Sequence, residues 1–170
     1  MAQTIRYGII GCGSMGREHI ENLKALAGTQ VTAIADPHPA SRAAALEILP
    51  AGVQVFEHHQ ALLDSGLCDA VVIATPNFTH IEMMRAALKT DLHILVEKPL
   101  VTRIEDGVEM VKQAEGRKGI VWVAQEYRYM PPVAEMIRMA HAGEVGKLHQ
   151  VAIREHREPF YPKVDDWNRF

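Results

Sequence analysis

A chain of 170 residues, nearly half of them hydrophobic, carries enough apolar mass for one domain and the start of a second. Its formal net charge of −3 intersperses both signs, which excludes the basic stripe of a nucleic-acid binder and the polybasic segment of a membrane-surface protein. Two cysteines, Cys12 and Cys68, are too few for a disulfide scaffold and lack metal-ligand spacing, so no metal is expected.

The opening "MAQTIRYGII" lacks the long apolar stretch of a signal peptide, and no window approaches a membrane span; a cytoplasmic protein with no membrane partner is expected. "IRYGII" (Ile5–Ile10) is apolar enough for a buried strand, and "GCGSMG" (Gly11–Gly16) follows it. Ile20, Leu23, Leu26 and Ala27 then share a helix face, with Gly28 placed to stop it. "VTAIAD" (Val31–Asp36) is a second strand, Pro39 suits the first turn of the next helix, and Pro50 ends it. A weak strand lies near Val53–Phe56, and His58–His59 reads as a solvated helix start.

"AVVIAT" (Ala70–Thr75), "HILVEK" (His93–Lys98) and "IVWVAQ" (Ile120–Gln125) complete the strands; near-continuous apolar runs suit a parallel sheet buried on both faces. Asn77 is placed to cap a helix carrying Ile81, Met84 and Leu88, and "TRIE" (Thr102–Glu105) reads as a capping box ahead of Val108 and Val111. The alternation predicts an α/β fold: a doubly wound parallel Rossmann sheet over residues 1–125. After it come a helix through Val133, Met136, Ile137 and Ala140, ended by Gly143, and the alternating segment Lys147–His156. Residues 126–170 are therefore expected to be a linker, a helix and the first strand of an incomplete second α/β domain. That strand, unpaired within the chain, would be a template for another copy.

Gly11, Gly13 and Gly16 fit G-x-G-x-x-G at a strand-to-helix corner. The first permits the turn, the second lets a pyrophosphate approach the backbone, and the third lets the helix pack against the strand. The phosphates would lie over Gly11–Gly16, Ser14 and Met15 included, at the positive end of the helix. Asp36, at the end of the second strand, suits the hydroxyls of an adenosine ribose and repels a 2′-phosphate, so NAD is favoured over NADP. Arg42 weakens that preference, since a guanidinium on the next helix would neutralise a phosphate. Flavin is a lesser alternative, and a methyltransferase is disfavoured.

"ATPNFTH" (Ala74–His80) and "EKPL" (Glu97–Leu100) follow strands at their carboxyl ends, where open α/β sheets bind ligands. Thr75 and Pro76 are placed to flank the cofactor, while His80 also reads as a plain first-turn residue. Lys98 ends an otherwise apolar strand. Partly buried, such a lysine polarises a hydroxyl or carbonyl oxygen and transfers a proton; otherwise it merely snorkels from the strand end. Glu97 would pair with it or fix a neighbouring loop, and Pro99 suits a cis bond.

"GCGSMG", "IADPH", "ATPNFTH", "EKPL" and "GEVGKLHQV", in this order, resemble the glucose–fructose oxidoreductase/inositol dehydrogenase family (Gfo/Idh/MocA) over nearly the whole chain. The resemblance implies NAD(P)-dependent oxidation of a sugar, polyol or related hydroxyl. It implies cofactor contacts at Gly11, Gly13, Gly16, Asp36, Thr75, Asn77, His80, Glu97 and Lys98, and a catalytic or substrate-positioning role for Lys98. Tyr127 and Arg128 fall where the family's chain crosses toward the substrate. The family's second domain also supplies an aspartate and a histidine on one helix, which these 170 residues do not contain. The expected function is thus the cofactor part of a dehydrogenase, inactive alone; the competing one is a non-catalytic dinucleotide-binding sensor or partner module.

Overall fold

A computed structural model describes residues 4–156, 163, 164 and 167. They fall into two units, one running through Ala124 and including Trp167, the other spanning Gln125–Asp166. The first unit alternates strands and helices: β1 (Ile5–Ile10), α1 (Ser14–Ala25), β2 (Thr29–Ala35), α2 (Pro39–Leu46), β3 (Gln54–Phe56), α3 (His59–Leu63), β4 (Ala70–Ile73), α4 (His80–Ala87), β5 (His93–Glu97), α5 (Ile104–Ala114) and β6 (Val121–Ala124). The six strands form one sheet in the order β3-β2-β1-β4-β5-β6, and every pair is parallel.

The sheet buries both faces, as its apolar strands demand. On one face Ile10, Ala35, Val71, Ile73, Ile94 and Val96 pack with residues of α3, α4 and α5, among them Leu62, Met84 and Met110. On the other, Ile9, Val31, Ile34 and Val72 pack with Ile20 and Leu23 of α1 and Ala45 of α2. Val31 and Ile34 share that face because the β1–β2 register shifts between Tyr7 and Gly8, leaving Thr32 as an extra residue. The Thr32 hydroxyl donates to the Leu67 carbonyl at 2.9 Å.

Local details depart from the sequence pattern. α1 stops at Ala25, so Leu26 is its cap and is exposed, and the turn into β2 uses Gly28 at φ +81°. His38, not a serine or aspartate, caps α2: its Nδ1 accepts the Ser41 N–H at 3.3 Å. The "TRIE" box does not form, because α5 starts one residue later with Arg103 as cap, and Glu105 lies 3.6 Å from the Arg103 guanidinium instead. Met110 is the buried anchor of α5, while Val108 and Val111 are exposed.

The second unit holds a 3-10 turn (Glu126–Tyr129) and α6 (Pro131–His141), which Ala142 caps and Gly143 leaves at φ +74°. Lys147–His156, expected as a strand, has no strand conformation and is exposed. A strand is held by its ladder partner, and among the described residues no segment pairs with this one. The residues after it lie outside the described ones, apart from 163, 164 and 167.

Candidate functional site

The parallel registers align Ile10 with both Ala35 and Ile73, and Ile73 with Val96. Gly11, Asp36, Ala74 and Glu97 therefore stand at one level along the carboxyl edge of the sheet. The strand order reverses between β1 and β4, opening the crevice where such sheets take ligands.

Two of the three glycines are fixed by crowding and one by space. Gly11 turns at φ +94°, and a Cβ there would lie 2.6 Å from the Ala74 carbonyl oxygen, so β1 and β4 can close up only around a glycine. A Cβ on Gly16 would overlap the Gly11 carbonyl oxygen, which presses α1 against the strand end. A Cβ on Gly13 would meet nothing within 4 Å. Gly13 is the cap residue of α1 and leaves the helix without a side-chain cap. The loop is an open cradle at a helix N-terminus, fitted to an anion that accepts main-chain N–H bonds. Ser14 is exposed and Met15 half-buried on the first turn. The Arg17 guanidinium donates to the Cys12 carbonyl at 2.9 Å and ties the loop to α1.

Asp36 reaches the same loop. Its Oδ2 accepts the Cys12 N–H at 2.7 Å and its Oδ1 accepts the His38 N–H at 2.8 Å. A carboxylate offers about four lone-pair sites, so acceptor capacity remains for two ribose hydroxyls. Arg42 donates through one nitrogen to the Asp36 and Pro37 carbonyls, at 2.6 and 3.1 Å, and so supports the strand end rather than standing apart from it.

The β4 loop carries Thr75, Pro76 and Asn77. Asn77 opens a 3-10 turn (Asn77–Thr79) and caps neither that turn, whose cap is Pro76, nor α4, whose cap is Thr79. The Thr75 and Thr79 hydroxyls lie 2.8 Å apart. His80 is fully buried, with Nδ1 2.7 Å from the Pro99 carbonyl and Nε2 2.9 Å from the Thr75 carbonyl. Both ring nitrogens thus lie within hydrogen-bond distance of main-chain carbonyls of two different loops.

Glu97 is buried, with Oε1 2.8 Å from His19 Nε2 of α1, while its Oε2 accepts the Lys98 N–H at 3.1 Å. Burial pushes the carboxyl up. The His19 hydrogen bond and charge, with the Lys98 N–H and charge, outweigh it and hold the carboxyl below its ordinary value. Glu97 thus ties the end of β5 to α1 and to the Lys98 backbone. Lys98 is exposed rather than partly buried, because β5 ends one residue before it. The Lys98–Pro99 bond is cis.

The sequence reading missed His19. Its signal was a histidine three residues after Gly16, beside the buried helix positions, opposite a glutamate in an apolar strand. Tyr127 and Arg128 belong to the second unit, on its 3-10 turn, where the Tyr127 hydroxyl donates to Glu155 at 2.6 Å.

An oxidoreductase family described by its NAD-binding Rossmann fold, Gfo/Idh/MocA, matches residues 5–125. An inositol 2-dehydrogenase of Pseudarthrobacter chlorophenolicus is 34% identical over 167 residues, covering 95% of this chain and 48% of that protein. The rhizopine catabolism protein MocA of Rhizobium meliloti is 29% identical over 147 residues, covering 86% of this chain and 45% of that protein. Among solved structures, myo-inositol dehydrogenase from Lactobacillus casei, in complex with NAD(H) and myo-inositol, superposes with a TM-score of 0.80 at 28% identity, covering 85% of this chain and 43% of that one. The WlbA dehydrogenase from Bordetella pertussis, in complex with NADH and UDP-GlcNAcA, gives 0.79 at 27%, covering 86% and 42%. The chain thus spans about half the length of the curated relatives it matches. With its glycine corner, strand-end aspartate and lysine on one sheet edge, and the family match running from β1 through the end of β6, this chain belongs to the Gfo/Idh/MocA oxidoreductase family.

Proposed function

We propose that this chain is the NAD-binding part of a dehydrogenase that oxidises a CH–OH group of a polyol such as inositol, or of a sugar. The observation that carries the reading is the order of functional groups along one sheet edge: Asp36 after β2, the Gly13 cradle after β1, Thr75 after β4 and Lys98 after β5. Strands stand about 4.8 Å apart, so Lys98 lies on the order of 10 Å across the sheet from the cradle. Along that edge Asp36 would hold the adenosine ribose of a dinucleotide, Gly11–Gly16 its pyrophosphate, and Thr75 and Lys98 would flank its nicotinamide end.

Held there, NAD would supply the hydride acceptor for the carbon that carries the hydroxyl. The chain's own residues do the rest. The amides of the α1 first turn hold the pyrophosphate, and Gly13 leaves the room for it. Asp36 accepts from the ribose hydroxyls and repels a 2′-phosphate, which selects NAD over NADP. Lys98 would lie against the hydroxyl oxygen and stabilise the charge that grows there as the hydroxyl proton passes to a general base of the longer protein. Asn77, whose side chain caps no helix, is a proposed contact to the cofactor beside Thr75 and Pro76. Tyr127 and Arg128 are proposed as substrate contacts on the family resemblance.

The test is calorimetric titration of NAD into the 170-residue chain, joined to a polyol-dependent NADH assay on the longer protein that carries it. NAD binding, with NADH formation lost in Lys98→Ala, supports the proposal. NAD binding without any polyol- or sugar-dependent NADH formation leaves a sensor module and overturns it. The chain alone is expected to form no NADH, because a substrate left unpositioned forfeits many orders of magnitude in rate.

A further inference from the structure

Lys98 stands between two residues that are each held by a histidine. Glu97, before it, is gripped by His19, and the carbonyl of Pro99, after it, lies 2.7 Å from His80 Nδ1. The two histidines come from helices on opposite faces of the sheet: α1 packs on the Ile9–Ile34–Val72 face and α4 on the Ile10–Ile73–Val96 face. We infer that His19 and His80 are positioning residues that clamp the Lys98 backbone from both faces of the sheet. The inference rests on the reading of Lys98 given above.

Each arm also brings in a second element of the crevice. His19 follows Gly16 by three residues on the helix that opens at the glycine cradle. His80 Nε2 lies 2.9 Å from the Thr75 carbonyl. The end of β5 and the turn after it are therefore joined through imidazoles to α1 and to the loop after β4. The Lys98 amide is held as well, donating to Glu97 Oε2 at 3.1 Å.

Such an arrangement is a poor way to gain stability. A carboxylate and an imidazole at 11% and 18% side-chain exposure give up much of their hydration, and an apolar pair of similar volume would serve the fold as well. It is a good way to set geometry. A strand-end lysine has four rotatable bonds, so the position of its ammonium depends first on where its chain starts. Fixing the residues on either side restricts the origin of that side chain, and a displacement of about 1 Å at a reacting group costs on the order of a hundredfold in rate.

The experiment is native-state hydrogen exchange by NMR on the 170-residue chain, comparing the Lys98 amide with that of Val96, which lies inside β5. In His19→Ala the Lys98 amide is expected to exchange about tenfold faster while Val96 changes by less than about threefold, the mark of a local opening. His19→Gln, which keeps a donor for Glu97, is expected to restore slow exchange at Lys98. Equal acceleration of Lys98 and Val96 in His19→Ala means a merely structural pair and overturns the inference, as does failure of His19→Gln to restore protection. His80→Ala is expected to repeat the local effect; because His80 is fully buried and that variant can fail to fold, the His19 pair of variants decides alone if it does. All of this is read without cofactor or substrate. Absent NAD binding in the native chain would sink the proposed function and leave the clamp standing, and the reverse outcome would do the opposite.

Discussion

Asp36 Oδ2 accepts the main-chain N–H of Cys12 at 2.7 Å, so the acid at the tip of β2 and the glycine loop at the tip of β1 are one hydrogen-bonded unit. The second oxygen of the same carboxylate accepts the His38 N–H, at the entry to α2. Asp36 therefore shapes the glycine loop as well as standing where the ribose is proposed to bind.

Replacing it should show both roles. Asp36→Ala is expected to bring NADP affinity to within about tenfold of NAD, and to lower stability by about 2 kcal/mol through the two lost charge-assisted bonds. Paired titrations with the two cofactors and a urea denaturation curve check this. If the native chain already binds NADP as well as NAD, the assignment of Asp36 is wrong.

Gly13 and Gly16 should separate binding from folding. Gly13→Val puts its side chain into open space, so the melting temperature is expected to stay within about 2 °C while NAD affinity falls at least about a hundredfold. Gly16→Ala drives a methyl into the Gly11 carbonyl and is expected to lower the melting temperature outright. Thermal scans beside NAD titrations decide; unchanged affinity in Gly13→Val removes the cradle.

Gly11→Ala combines a left-handed backbone with a backbone collision against Ala74. A loss of about 3 kcal/mol or more is expected in denaturant unfolding, among the larger effects of any single methyl in this chain. A loss under about 1 kcal/mol would mean that β1 and β4 separate at their tips with little resistance.

Acid should find the His19–Glu97 pair. The Glu97 carboxyl is held below its ordinary value when folded. Its contribution is therefore present above the unfolded pKa of about 4.3 and lost as the pH falls through the lower, folded value. Glu97→Gln is expected to flatten the acid limb of stability against pH, with the gap from native present above the unfolded pKa of about 4.3 and closing as the pH falls below it. Urea midpoints measured across that range test it, and a gap that widens on acidification would reverse the sign assigned here.

The strands were legible because a parallel sheet buried on both faces leaves continuous apolar runs, and the glycine corner because each glycine answers a different steric demand. Asn77 misled because a good capping residue stood one short turn ahead of the true helix, whose start is set by Thr79 and the buried His80. Lys98, expected to end the strand, lies one residue past it and is exposed, because β5 stops at Glu97, a one-residue boundary that apolar runs do not define. His19 went unread because its partner is 78 residues away, and no local pattern announces a pair formed across the tip of a sheet. The alternation of Lys147–His156 was real as a pattern, but a pattern becomes a strand only beside a neighbour.

The glycine loop has a sulfur at its centre. Cys12 is fully buried, and burial, with the Asp36 charge beside it, pushes its thiol up to about 12 against Arg17 and Arg42. At neutral pH the thiolate that peroxides, electrophilic drugs and heavy metals attack is therefore scarce. Iodoacetamide should leave Cys12 unmodified in the folded chain and alkylate it at once in urea. Oxidative stress that silences enzymes through a reactive cysteine would pass this phosphate loop by.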